Sequence, residues 1–134
     1  MNILLDALNW LAVPAHWMGD SGILVRATEH LGLTLLIVAL AALIALPLGT
    51  WIGHTGRGRW LVSATGAARA VPTLGVLTLA GVWLGIGLAA PTLALLVLAI
   101  PPLLSATYSG IASTPSATVD AARAIGLTEK QVLA

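Results

Sequence analysis

The sequence predicts an all-α protein made of helices that cross a membrane several times. Of its 134 residues, 58% are hydrophobic and only 8% are charged, whereas soluble proteins carry about 25% charged residues. No Asp, Glu, Lys or Arg occurs between His30 and Gly56, or between Ala70 and Val119. Because a transmembrane helix needs about 20 apolar residues, each of these stretches is long enough to supply at least one span.

The composition also excludes several classes of function. The net charge of +1 and the lack of a basic patch with interleaved aromatic residues argue against nucleic acid as a partner. The chain has no cysteine, so thiolate metal sites and cysteine nucleophiles are excluded. Its three histidines are too scattered to predict a metal site, and neither a Walker phosphate-binding loop nor a Ser/His/Asp set occurs. We therefore expect a protein that is not an enzyme and holds no metal or cofactor.

Residues 1–30 are predicted to form an external segment ahead of the first span. Leu4, Leu8 and Leu11 recur at helical spacing, which fits a short helix lying in the membrane interface; a dangling tail is the alternative. No Lys or Arg precedes Arg26, whereas a signal peptide begins with a basic region. We therefore do not interpret this segment as a cleaved signal peptide.

The first span is predicted over residues 31–53, which are uncharged. Pro47 and Gly49 near its end are expected to bend or loosen the last turns. The loop that follows carries Arg57 and Arg59, and short cytoplasmic loops hold the excess of basic residues in membrane proteins. This loop is therefore placed in the cytoplasm and the N-terminus outside.

The second span is predicted over residues 67–87 and the third over residues 91–112, joined by a short outer turn. Arg69, near the inner end of the second span, can reach the headgroups with its long side chain. Small residues in this region are expected to let helices pack closely. They are Gly75, Gly81, Gly85 and Gly87.

Two adjacent prolines, Pro101 and Pro102, lie at the centre of the third span. Each removes an N–H group and leaves a carbonyl of the preceding turn without its helical partner. Unpaired backbone at that depth is tolerated only inside protein or beside a wet cavity. The prolines therefore indicate either a helix broken beside a pathway or a kink relieved by a neighbouring hydroxyl, such as that of Ser105 or Thr107.

Residues 113–134 are predicted to be a cytoplasmic helix, a glycine elbow and a second helix. Thr114 and Pro115 fit the N-cap and first helical position, and Gly126 fits the residue after the helix. Thr128 and Gln131 have the spacing of a capping box. Ala117, Ala121, Ala124 and Ile125 share one face of the first helix, away from Asp120 and Arg123. Such a face suits docking into a groove on a cytoplasmic partner, or an amphipathic helix on the inner leaflet.

The motif DAARAIG, Asp120 to Gly126, resembles the Glu-Ala-Ala, three residues, Gly signature in the cytoplasmic loop of permease subunits of binding-protein-dependent ABC importers. Flanking sequence from about residue 23 onward is similar to the glycine betaine/carnitine/choline permeases. It includes EHLGLTLL, IALPLGTWIGHTGRGR, ARAVPTLGVLTL and YSGIASTPSATVDAARAIGLT. Asp120 stands where the family usually has Glu, which keeps the carboxylate and shortens its reach.

The resemblance implies a type I importer in the bacterial plasma membrane. Two permease subunits, the same or sister chains, would form the pathway, with two ATPase subunits beneath them and an external binding protein delivering the solute. ATP would be used by the partner. The coupling residues would be Asp120, Ala121, Ala122 and Gly126, and Pro101, Pro102 and Tyr108 are the candidate pathway residues.

Residues 31–134 would then be the N-terminal part of the permease domain, with three of about five core spans. The family motif continues to an Ile-x-Leu-Pro ending, so the resemblance implies that this chain stops within the coupling loop. Two alternatives stay open. One is a permease for methionine, another amino acid or another small solute, and the other is a small non-transporting scaffold or pore-forming membrane protein.

Overall fold

A computed structural model describes residues 2–68 and 72–133. Every element in this part of the chain is helical. The chain divides into two compact units, Met1–Leu36 and Ile37–Ala134. Arg69, which we expected to reach the headgroups, lies outside the described residues.

The first unit contains the short helix α1 (Ile3–Leu11), a 3₁₀ turn (Pro14–His16) and the start of α2 (Ile23–Thr55). The imidazole of His16 stacks on Trp10 with the ring centroids 4.1 Å apart. The indole N–H of Trp17 donates to the carbonyl of Leu11 at 2.7 Å. These contacts fold the turn back on α1, and the segment contains the predicted short helix. Contact of α1 with a membrane interface stays a prediction.

Helix α2 contains the whole first predicted span and extends beyond it at both ends. Its 33 residues correspond to a length of about 50 Å, and Pro47 does not end it. It stops at Thr55 because Gly56 adopts a φ of +69°, a left-handed conformation that favours glycine. The N–H of Gly56 donates to the carbonyl of Ile52 at 2.9 Å and closes the last turn.

The single helix predicted over residues 67–87 is wrong in its bounds. The described residues of this region belong to α3 (Arg59–Ala68) and α4 (Thr73–Leu84). Pro72 occupies the N-cap of α4 in an extended conformation, because a proline has no N–H to continue a helix from the preceding turn. The 12 residues of α4 measure about 18 Å, which is shorter than the hydrocarbon core of about 30 Å.

The third predicted span is α5 (Ala89–Ala112), which begins two residues earlier than predicted and ends as predicted. It runs through Pro101 and Pro102 without a break, so the broken helix is not observed. The hydroxyl of Thr107 donates to the carbonyl of Leu103 at 2.8 Å, not to the carbonyls that the prolines free. Helices α2 and α5 are the two in the described chain that are long and apolar enough to cross a membrane.

The core of the second unit lies where α2 packs against α5 and α3. Ala41, Ala45 and Gly49 recur every four residues along one side of α2 and are all buried. A Cβ added to Gly49 would stand 2.7 Å from Cβ of Thr107 on α5. One added to Gly53 would stand 2.7 Å from Cβ of Ile111. The two backbones therefore approach more closely than any side chain would allow.

The small residues of α2 allow close helix packing, which we had predicted for four other glycines. A Cβ added to Gly81, Gly85 or Gly87 meets nothing within 4 Å, and one at Gly75 meets only Pro72, at 3.8 Å. The prediction of close helix packing at those positions is therefore wrong for the described chain. Gly85 and Gly87 have positive φ values and form the turn between α4 and α5, so their role is to reverse the chain.

Candidate functional site

The C-terminal segment forms a short helix α6 (Ser116–Ala124), an elbow and a short helix α7 (Glu129–Leu133). Helix α6 begins one residue later than predicted, with Pro115 at the N-cap. The carbonyl of Pro115 accepts the N–H of Thr118 at 3.0 Å, while the N–H of Thr114 still belongs to the end of α5 and donates to Ile111. The shift arises because proline cannot donate to α5, so the chain turns there and restarts.

Gly126 ends α6 in the way its sequence position predicts. Its φ is +88°, and its N–H donates to the carbonyl of Arg123 at 3.0 Å. The N–H of Leu127 donates to the carbonyl of Ala122 at 3.2 Å. This pair of bonds is the Schellman arrangement, which satisfies two carbonyls at the end of a helix and requires a left-handed residue.

The start of α7 contains half of the predicted capping box. The side-chain oxygen of Gln131 accepts the backbone N–H of Thr128 at 2.9 Å. The hydroxyl of Thr128 also donates to this oxygen, at 2.8 Å, instead of accepting the N–H of Gln131. The elbow is therefore closed on both sides by local hydrogen bonds.

An ion-pair network crosses the elbow and reaches the end of α2. Arg123 in the last turn of α6 donates two parallel hydrogen bonds to Glu129 in the first turn of α7, from Nε at 2.9 Å and from Nη2 at 3.0 Å. The Nε2 atom of His54 lies 2.7 Å from Oε2 of the same carboxylate. At this distance the imidazole is in direct contact with the carboxylate. Glu129 thus joins three helices.

The charges in this network hold one another in the ionised form. The hydrogen bond from Arg123, followed by the charges of Arg123 and His54, lowers the pKa of Glu129 below its ordinary value, although partial desolvation opposes the shift. The hydrogen bond to Glu129 raises the pKa of Arg123 in turn. The network is therefore fully charged on its carboxylate and guanidinium at neutral pH.

The predicted coupling residues lie on different sides of α6. Ala122 and its neighbour Val119 are half-buried, whereas Asp120 and Ala121 are exposed. The carboxylate of Asp120 lies 3.9 Å from Arg123 and borders a cavity of about 220 Å³ beneath α6. The cavity is lined by Gly53, His54, Arg59, Ile111, Ala112, Thr114, Ser116, Val119, Asp120 and Arg123. The half-buried side of α6 thus faces the ends of α2 and α5.

The opposite side of α6 is the face of small residues that the sequence predicts. Ala117, Ala121, Ala124 and Ile125 are all exposed, and Ile125 exposes 80% of its surface. This face is apolar and carries no side chain long enough to hold another surface away. It is therefore free, within the described chain, to receive a partner.

The candidate pathway residues do not meet at one site. Tyr108 is half-buried and packs against the buried cluster of Ala45, Ile52 and Leu104. Pro101 is half-buried and Pro102 is exposed. Their contact with a solute stays a prediction.

Sequence reasoning missed the roles of His54 and Glu129. His54 was grouped with two other scattered histidines, and Glu129 drew no attention because it lies outside the DAARAIG motif. One signal was present, since Arg123 and Glu129 have opposite charges on either side of a predicted glycine elbow. The link to His54, much earlier in the chain, has no local signal in the sequence.

Comparison with curated proteins finds relatives that are permeases. The carnitine transport permease protein OpuCD of Listeria monocytogenes is 32% identical over 97 residues, which are 72% of this chain and 44% of that protein. The choline transport system permease protein OpuBD of Bacillus subtilis is 27% identical over 134 residues, 99% of this chain and 57% of that protein. The osmoprotectant import permease protein OsmY of Salmonella typhimurium is 30% identical over 114 residues, 83% of this chain and 48% of that protein.

No protein-family model and no solved structure matches the chain. The chain spans about half the length of the curated relatives it matches. The family resemblance carried by DAARAIG and its flanks is nevertheless confirmed: over most of its residues, this chain is related to the permease subunits of glycine betaine, carnitine and choline ABC importers.

Proposed function

We propose that this chain is a membrane permease subunit of an ATP-driven importer for a quaternary-ammonium osmoprotectant, such as glycine betaine, choline, carnitine or proline betaine. The observation that carries the proposal is the exposed elbow between α6 and α7, which presents the DAARAIG motif in a chain related to such permeases. The permease moves the solute, and the ATP chemistry belongs to a partner subunit.

The geometry of α6 supports a coupling role for this segment. Its half-buried side, with Val119 and Ala122, rests toward the ends of α2 and α5, and its opposite side is exposed. A short helix that is packed on one side and exposes small apolar side chains on the other is suited to lie in a groove of another protein. In our proposal the groove belongs to the cytoplasmic ATPase, and Asp120, Ala121, Ala122 and Gly126 form or shape the contact.

The proposed topology follows from the charges and the helices together. Arg57 and Arg59 favour a cytoplasmic position for the turn after α2, because short cytoplasmic loops carry the excess of basic residues. The proposed topology therefore has residues 1–30 outside. Helix α5 must then run inward for α6 to reach the cytoplasm, and an outward crossing has to lie between α2 and α5. The region of α3 and α4 supplies it as two helices in place of the single span first predicted.

The proposed assembly has four kinds of partner. A second permease subunit, identical or a sister chain, completes the pathway, and two ATPase subunits dock beneath the pair. An external binding protein delivers the solute, and lipid of the bacterial plasma membrane surrounds α2 and α5, whose outward-facing side chains are mostly apolar and exposed. Tyr108 and the prolines of α5 are the candidate pathway residues in this arrangement.

Uptake of labelled glycine betaine tests the proposal. Cells that lack their own osmoprotectant importers would express this chain with the other components of the importer, with and without hyperosmotic shock. We expect saturable, ATP-dependent uptake that unlabelled choline or carnitine reduces by competition. The Asp120→Ala and Gly126→Pro variants should lose it, while Asp20→Asn, far from the elbow in sequence, should not. Uptake of methionine in place of glycine betaine would reassign the solute. A membrane complex of this chain that contains no ATPase would refute the proposal that it belongs to an importer.

A further inference from the structure

In the described chain, Glu129 makes the one charged contact between the elbow and α2. Its carboxylate accepts from Arg123 on one side of Gly126 and lies 2.7 Å from His54 Nε2 at the end of α2. Among the described residues, Asp120, the acidic residue of the motif, forms an ion pair with Arg123 alone, at 3.9 Å. The fastening therefore depends on a residue outside the family signature.

The His54 end of this link is firmly held. The His54 side chain is only 19% exposed, and its neighbours Ile52 and Gly53 are packed against α5, Gly53 so closely that it has no room for a Cβ. By contrast, the Glu129 side chain is 59% exposed, so its position is set by its partners. The end of α2 is therefore the fixed side of this contact, and the Glu129 side chain is the side that adjusts to it.

We propose that Glu129 is a positioning residue that clamps the coupling elbow to the cytoplasmic end of α2, so that α6 and α2 move together when the ATPase moves α6. This inference rests on the proposed function. A purely local role for Glu129, as a favourable charge in the first turn of α7, would need neither the bidentate grip of Arg123 nor the contact with His54.

Chemical cross-linking tests the position of the clamp without any transport. The chain has no cysteine, so His54→Cys with Glu129→Cys is a clean pair. The two native side chains meet at their tips, so the Cβ atoms are too far apart for a disulfide, and a short bifunctional thiol reagent would be used on membranes. Thiols left free would be counted by a gel shift with maleimide-polyethylene glycol.

The matched control pair is His54→Cys with Lys130→Cys. Lys130 is the next residue on α7 and therefore points about 100° away around the helix. We expect the Glu129 pair to cross-link several-fold more than the Lys130 pair, because position 129 faces the end of α2. Equal yields for the two pairs would overturn the closeness of positions 54 and 129 on which the clamp rests, whether or not the importer moves any solute.

Coupling is tested in the assembled importer as the amount of solute taken up per ATP hydrolysed. Glu129→Ala and His54→Leu should each lower this ratio by about two- to fivefold, the range expected for an exposed ion pair, with ATPase association unchanged. His54→Gln, which keeps a donor, should stay near wild type. The double variant should be no worse than either single one, because both remove the same link.

Rescue separates positioning from a merely structural role. The uncross-linked cysteine pair lacks the clamp and should show the lowered ratio, and the cross-linker should restore it because a covalent link replaces the ionic one. A cross-linked importer that stays uncoupled or stops transporting would show that the clamp has no such role or must open. A wild-type importer that moves no osmoprotectant would count against the proposed function alone. The cross-linking yields do not depend on transport and would still test the position of Glu129.

Discussion

Gly49 on α2 and Thr107 on α5 are so close that a Cβ on the glycine would lie 2.7 Å from Cβ and 2.9 Å from Cγ2 of the threonine. The carbonyl of Leu104 would stand 3.1 Å away. Helices in membranes associate through such small-residue contacts, because lipid gives little hydrophobic drive for one helix to leave it for another. The pair therefore marks where α2 and α5 are held together.

The first prediction concerns this contact. Gly49→Ala should destabilise the solubilised chain by about 1 to 3 kcal/mol, as for an overpacked core. Gly32→Ala is the matched control, since a Cβ at Gly32 on the same helix meets nothing within 4 Å. Both changes gain about 1 kcal/mol of helix propensity, so their difference in thermal midpoint isolates the clash. A Gly49→Ala variant as stable as Gly32→Ala would contradict the packing.

The second prediction concerns the elbow. Gly126→Pro removes an N–H that donates to Arg123 and forces a negative φ where the native value is +88°. We expect loss of co-purification with the ATPase while the chain still inserts in the membrane. Gly126→Ala, which keeps the N–H but pays a penalty of about 1 to 2 kcal/mol for the left-handed conformation, should weaken association less.

Gly19 provides the control for this elbow variant. It also has a positive φ, +94°, but lies in the first unit. Gly19→Ala should carry similar local strain and leave ATPase association unchanged. Association lost equally in the Gly19 and Gly126 variants would mean that general instability, and not the elbow, was responsible.

The third prediction concerns the titration of Glu129. The hydrogen bond and charge of Arg123 lower its pKa below the ordinary 4.5, so the pair stabilises the elbow above that pH and is lost as the pH falls through the lowered pKa. Arg123→Ala should raise the pKa of Glu129. Carboxyl ¹³C signals of labelled glutamate would show it, because the sequence has only two glutamates and Glu29 serves as the reference.

The titration would use the His54→Gln background, so that Arg123 is the cationic partner whose effect on Glu129 is measured. Asp120 and Arg59 also border the cavity beneath α6, and both are kept. An Arg123→Ala variant in which Glu129 titrates at the same pH as before would contradict the bidentate pair.

The fourth prediction concerns topology. A cysteine at Thr55, exposed at the end of α2, should react with a membrane-impermeant thiol reagent only in inverted vesicles. A cysteine at Ile86, fully exposed in the turn between α4 and α5, should react in intact spheroplasts. Both sites labelled from the same side would show that no outward crossing lies between them, and would contradict the role we assign to α3 and α4.

Hydropathy was sufficient to predict α2 and α5, because a long uncharged run is a property of consecutive residues. It failed at residues 67–87, where Pro72 restarts the helix inside an equally apolar stretch. The elbow was predictable because Gly126 and Thr128 act on their immediate neighbours. The fit of Gly49 against Thr107, and of His54 against Glu129, depends on how distant segments align in space, which no local pattern in the sequence records.

The direct backbone contact between α2 and α5 also has a mechanical consequence. Because no layer of flexible side chains separates Gly49 and Gly53 from their neighbours on α5, the two helices form one stiff strut. Sliding one helix past the other would disrupt the close packing at these two glycines. A swing of this strut has to be absorbed at its joints. In the described chain these joints include the turn of Gly56 and Gly58 after α2, the non-helical residue Pro72 and the glycine turn before α5.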